Sequence, residues 1–124
     1  HRAHRATKEW SADDTTLVLR NVGHATTPGD IVRHLRALGL EAACDFIYVP
    51  VGRFGRVANH QRVLRGCGFA FVNFESPEAA ARAVPLLQGC PRGARSGELL
   101  SVSPATSQGR AANLADFFAK LNGR

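Results

Sequence analysis

Cys67-Gly68-Phe69-Ala70-Phe71-Val72-Asn73-Phe74 is the stretch on which the reading of this chain turns. From Phe69 to Phe74 every residue but Asn73 is aromatic or apolar, and Gly68 and Ser76 bound the run, so it reads as a β-strand. Alternation sends Ala70, Val72 and Phe74 to one face and Phe69, Phe71 and Asn73 to the other. If one face packs on helices, two phenylalanines point outward from the opposite one. A surface of that kind is costly unless something planar uses it, and stacking of an unpaired base on an aromatic ring is worth about 1–3 kcal/mol.

Downstream, Ser76-Pro77-Glu78 supplies a cap, a first-position proline and an acid at the positive end of the helix dipole, so a helix runs through the alanine-rich segment toward Leu87 and Gly89. Pro85 lacks a helix donor and is expected to kink or end it early. After a Pro/Gly/Arg-rich turn from Gly89 to Gly97, Leu99 to Ser103 forms a short strand before Pro104. Beyond it, Leu114, Phe117, Phe118 and Leu121 recur at the spacing of an amphipathic helix.

Upstream, Val51 to Gly66 carries glycines and Arg53, Arg56, Arg62 and Arg65 without a stable period and reads as a long basic loop. Before it, Asp45 to Val49 is a strand ended by Pro50. Thr26 or Thr27 caps a helix opened by Pro28, with Ile31, Leu35 and Leu38 on one side until Gly39 stops it. Thr16 to Val22 is a first strand with Leu17 and Leu19 on one face. The order is β-α-β-β-α-β, which specifies an α+β, ferredoxin-like sandwich: a four-stranded antiparallel sheet with two helices on one face and, here, an additional C-terminal helix. The expected organisation is a flexible basic arm over residues 1–14, one domain over 15–106, and a helical extension over 107–124 that packs on it.

Composition narrows the partners. An apolar fraction of 44% over 124 residues supports a real core, and a net charge of +6 carried almost entirely by arginine favours a polyanion. No run reaches the roughly 18 apolar residues of a membrane span. Cys44, Cys67 and Cys90 form no C-x-x-C pair, so a reducing, intracellular setting without a disulfide framework is expected, nucleus or cytoplasm undetermined. The chain starts at His1 and contains no methionine, which reads as a region of a longer protein.

Two segments then carry a resemblance. Cys67 to Phe74 resembles the strand-three octamer of the RNA-recognition motif, and Leu17-Val18-Leu19-Arg20-Asn21-Val22 resembles its strand-one hexamer. Closer still, Thr15-Thr16-Leu17 with Arg20-Asn21, Asp45 to Pro50, and Ser76-Pro77-Glu78-Ala79-Ala80 are similar to the carboxy-terminal recognition motif of the Mei-two-like family of meiosis-associated RNA-binding proteins, whose members carry a further helix after the fourth strand. The resemblance spans Thr15 to Leu121. It implies single-stranded RNA as partner, with Phe69 and Phe71 at base-stacking positions and Tyr48 on the RNA-facing side of strand two. Arg20 and Asn73 would be polar contacts, and Arg53, Arg56 and Arg65 would lie along the backbone. Two positions depart: Cys67 stands where the octamer has Lys or Arg, and Val18 where the hexamer has an aromatic.

Other chemistries are poorly supplied. Small phosphatases share the sandwich, and Arg20 with Asn73 would be the pair such an enzyme uses. The phosphate-cradling loop it needs is represented only by Val22-Gly23-His24-Ala25, so no enzyme is expected. His24, His34, His60 and the cysteines fit no ligand spacing, and neither metal nor cofactor is expected. The rival is a protein-interaction module whose sheet face or C-terminal apolar stripe docks a partner. The isolated domain is expected to be monomeric. The C-terminal stripe also gives a mechanistic expectation: the last helix lies across the sheet, covers Phe69 and Phe71, and must be displaced by RNA.

Overall fold

The computed structural model describes residues 8–56, 62–91 and 94–123, and for residues 53–56 and 62–65 the backbone alone. Among the described residues the elements run β1 (Thr16–Arg20), α1 (Pro28–Ala37), a 3-10 turn (Glu41–Ala43), β2 (Cys44–Tyr48), β3 (Val51–Arg56), β4 (Arg62–Gly66), β5 (Phe69–Phe74), α2 (Pro77–Leu87), β6 (Ser101–Pro104) and α3 (Arg110–Asn122). The main sheet has the antiparallel order β2-β5-β1-β6. That is the ferredoxin-like sandwich with an added C-terminal helix.

Each helix begins as its first residues require. Thr27 accepts from the Asp30 N–H while Asp30 accepts from the Thr27 N–H, a reciprocal capping box ahead of Pro28. Ser76 accepts from the Ala79 N–H ahead of Pro77. The apolar faces then close on the sheet. Leu17 and Leu19 of β1 and Ala70, Val72 and Phe74 of β5 form one cluster with Ile31 and Leu35 of α1 and Ala79, Ala80, Ala83 and Leu87 of α2. Each buried large aliphatic or aromatic side chain contributes about 1.5–3 kcal/mol.

Three local expectations change. The basic segment after Pro50 is an antiparallel hairpin, β3 paired with β4, rather than a loop: Val51 pairs with Gly66 and Gly52 with Arg65, and a register shift lies between Phe54 and Arg56. Its base is tied to the loop after β1 through Gly66 N–H to the His24 carbonyl at 2.6 Å, and to the turn after β2 through Cys67 N–H to the Pro50 carbonyl at 3.1 Å. Helix α2 continues past Pro85 to Leu87, because Leu87 is wholly buried and packing holds the last turn despite the missing donor. Before β1, residues 1–7 of the expected arm lie outside the described residues, and residues 8–14 are anchored. The Lys8 N–H reaches the Pro104 carbonyl, the Lys8 ammonium pairs with Asp14, and Asp14 is buried while accepting from the Ser11 N–H.

Candidate nucleic-acid interface

The face of the sheet turned away from α1 and α2 is set by register. Tyr48 pairs with Phe71, Phe71 with Val18 and Val18 with Ser103, giving one row across all four strands. One step along, Phe69, Arg20 and Ser101 form a second row, and Phe46, Asn73 and Thr16 a third on the other side. Gly68, at the start of β5, has φ +90, a conformation that favours glycine.

The aromatic residues of this face meet as a platform. The Tyr48 and Phe71 rings lie 6.1 Å apart between centroids and within 13° of parallel, and Phe69 meets Phe71 edge-on at 5.6 Å. All three are half-buried, so each keeps surface for a ligand. Arg20, in the row of Phe69, is also half-buried, and loss of hydration pulls its pKa below the ordinary arginine value. Phe69, Phe71, Tyr48 and Arg20 are thus brought together as the sequence led one to expect.

Asn73 and Val18 are not available to a ligand. Asn73 is 2% exposed and its amide is committed within the protein. Its Oδ1 accepts from the Thr15 hydroxyl at 2.8 Å and the Thr16 hydroxyl at 2.6 Å, and its Nδ2 donates to Asp45 Oδ1 at 2.7 Å. The expected polar contact to RNA is replaced by a structural hub. Val18 has no exposed surface even though alternation puts it on the open face. Nor do Arg20 and Asn73 form a catalytic pair: Arg20 pairs with Phe69 and Thr16 with Asn73, four strand positions apart, or about 13 Å. The backbones of Arg53, Arg56 and Arg65 lie in the β3–β4 hairpin, and their side chains fall outside the described residues. Among the described residues no group of three His, Cys, Asp or Glu comes together to hold a metal.

Helix α3 is the part the sequence located but could not place. Its first turn is pinned to β1: Asn113 Nδ2 donates to Thr16 Oγ1 at 3.1 Å, to the Ser107 carbonyl and to the Gly109 carbonyl, and the Gly109 N–H donates to Thr16 Oγ1 at 2.9 Å. Gln108 reinforces the joint, accepting from the Thr15 and Thr16 N–H groups and donating to the Thr16 and Ala105 carbonyls. Arg110 Nε reaches the Asp45 carbonyl. From that anchor the helix runs over the Tyr48 side: Phe117 meets Tyr48 edge-on at 5.3 Å and the Lys120 ammonium stands 5.3 Å above the Tyr48 ring. It therefore flanks the platform rather than lying over all of it, and Phe69 and Phe71 keep part of their surface. Only half of its apolar stripe is used, since Leu114 and Phe117 are half-buried while Phe118 is 54% and Leu121 51% exposed.

Comparison with known proteins places this geometry. No protein-family model matches the chain, and no curated protein matches it. Among solved structures, it is similar to a sex-lethal protein/RNA complex with 23% identity and TM-score 0.54, covering 78% of this chain and 50% of that one. It is similar also to the penultimate RNA recognition motif of the hypothetical RNA-binding protein RBM19, with 24% identity and TM-score 0.56, covering 78% and 88%. A third is the N-terminal RNA-binding domain of a hypothetical protein, with 24% identity and TM-score 0.55, covering 84% and 91%. The chain thus spans half the length of the first of these and nearly all of the other two. At such identities the likeness is one of fold, the fold of RNA recognition motifs.

Proposed function

We propose that this domain binds single-stranded RNA, without catalysis, on the sheet face that carries Tyr48, Phe69 and Phe71. The observation that carries the reading is the near-parallel pair Tyr48 and Phe71 with Phe69 beside it, three half-buried rings on the face that α1 and α2 leave open. A flat aromatic platform accepts splayed bases, and Arg20 at its edge, with Arg53, Arg56 and Arg65 on the neighbouring hairpin, supplies charge for the phosphates. The net charge of +6 gives the same sign. That a neighbour in fold is a sex-lethal protein/RNA complex agrees with it. Membership of the Mei-two-like family, a monomeric state and an intracellular location belong to the same reading.

The test is a fluorescence-anisotropy titration of short single-stranded RNA pools at two salt concentrations, with the intact chain and a Phe69→Ala, Phe71→Ala double variant checked for folding. Loss of two stacks at about 1 kcal/mol each predicts a fall of roughly 30-fold or more. Binding indifferent to both phenylalanines would overturn the sheet-face mechanism.

One observation favours a second reading. Phe118 and Leu121 leave an apolar strip on the outer side of α3, a surface suited to a protein partner. Contact through that strip would be insensitive to salt and to Phe69 and Phe71.

A further inference from the structure

Between α3 and the sheet lies a cavity of about 140 Å³ whose walls are the rings of Phe46, Tyr48, Phe71 and Phe117. Asp116 and Lys120, both exposed residues of α3, stand at its rim. We propose that this cavity takes a single guanine base of the bound RNA, read by Asp116 and Lys120; the inference rests on the RNA-binding reading above.

Size and shape limit the occupant first. A cavity of about 150 Å³ holds one benzene-sized ring, so there is room for the six-membered ring of one base, with the five-membered ring of a purine left outside its mouth, and not for a stack of two. Near-parallel Tyr48 and Phe71 form one aromatic wall and Phe117, at 70° to Tyr48, a second, with the Lys120 ammonium over the Tyr48 ring. Such a slot favours a planar aromatic ring over an aliphatic side chain.

The polar rim then selects among bases. The Ser107 hydroxyl donates to Asp116 Oδ2 and so fixes the carboxylate's orientation. An ionised carboxylate is an acceptor only, and a lysine ammonium a donor only. Guanine is the one base whose Watson–Crick edge presents two adjacent N–H donors, N1–H and the 2-amino group, beside an acceptor, O6. The carboxylate matches the donor pair and the ammonium matches O6. Adenine and cytosine set an acceptor where the carboxylate needs a donor, and uracil offers one donor between two acceptors. Asn113, which also lines the cavity, has its Nδ2 donating to three acceptors within the protein. Thr106 and Ser107 are neutral, so the two rim residues are the charged groups among the lining side chains and carry the strongest discrimination.

The experiment titrates the intact chain with uridine oligomers that carry one central guanosine, inosine or adenosine. Inosine is guanosine without the 2-amino donor. The guanosine oligomer is expected to bind about tenfold tighter than the other two, the low end of what one bidentate base contact gives, and Asp116→Asn to shrink that preference to within about twofold. Equal binding of all three that still depends on Phe69 and Phe71 would overturn the guanine site and leave the RNA reading standing. A guanosine preference that survives Asp116→Asn would overturn the reading role of Asp116. Failure of every oligomer to bind would overturn the RNA reading and the inference with it.

Discussion

Asn113 and Thr16, 97 positions apart in the chain, meet where Asn113 Nδ2 donates to Thr16 Oγ1 at 3.1 Å. The Thr16 hydroxyl donates in turn to Asn73, which donates to Asp45, so α3, β1, β5 and β2 share one chain of hydrogen bonds. Asn113 is 7% exposed, and a buried polar side chain with several bonds is expensive to lose.

Asn113→Ala is therefore expected to lower stability by about 1–3 kcal/mol, the cost of leaving buried acceptors unpaired. Urea denaturation measures it. Tyr48, the single tyrosine, is packed by Phe117, so its near-ultraviolet circular dichroism should weaken as α3 loosens.

Val18 stands where the hexamer that this strand resembles would have an aromatic, which invites an attempt to introduce one. Because Val18 is fully buried, Val18→Phe should overpack the space and cost roughly 1–3 kcal/mol rather than add a stack. Denaturation and RNA titration of the same variant check this together; a tighter RNA complex at unchanged stability would refute it.

Arg53 and Arg56 belong to β3, one strand of the two-stranded hairpin. Replacing both with alanine should weaken RNA binding evenly across sequences and flatten the dependence of log K on log salt by roughly 0.7 for each phosphate that is no longer neutralised. A sequence-selective loss would mean instead that they read bases.

Acid should loosen the start of α1 in a defined direction. The Thr27 N–H, the Arg33 side chain and the Thr27 hydroxyl all bond to the Asp30 carboxylate and hold its pKa below the usual range. A carboxyl depressed on folding contributes stability above its unfolded pKa of about 4 and loses it as pH falls through the lower folded value. Asp30→Asn should thus be less stable than the parent at neutral pH, and the gap should narrow as the pH is taken below about 4, where the carboxyl gains its proton. Thermal melts at neutral and at acid pH decide it.

Much of this was legible in the sequence because it is local. β5 occupies the Phe69–Phe74 run, α1 starts at the Thr27 cap, and the face shared by Phe69 and Phe71 follows from a period of two. What escaped depends on partners distant in the chain. Asn73 carries the same signal as any polar residue on an open face, and only the arrival of Thr15, Thr16 and Asp45 turns it inward. The β3–β4 hairpin was hidden because its glycines and arginines blur alternation and a register shift near Arg56 breaks it. The cavity under α3 draws its walls from β2, β5 and the last helix, a juxtaposition no window of sequence contains.

The joint made by Gln108 and Asn113 acts as a ruler. Gln108 Oε1 reaches the Thr15 and Thr16 N–H groups at 2.7 and 2.9 Å while Asn113 reaches the hydroxyl of the same Thr16, so both are measured from one strand end. A single residue inserted between them would let the chain satisfy either amide but not both. The length of this short connector, together with the amides at its two ends, sets whether the last helix is part of the domain's body or a tether trailing from it.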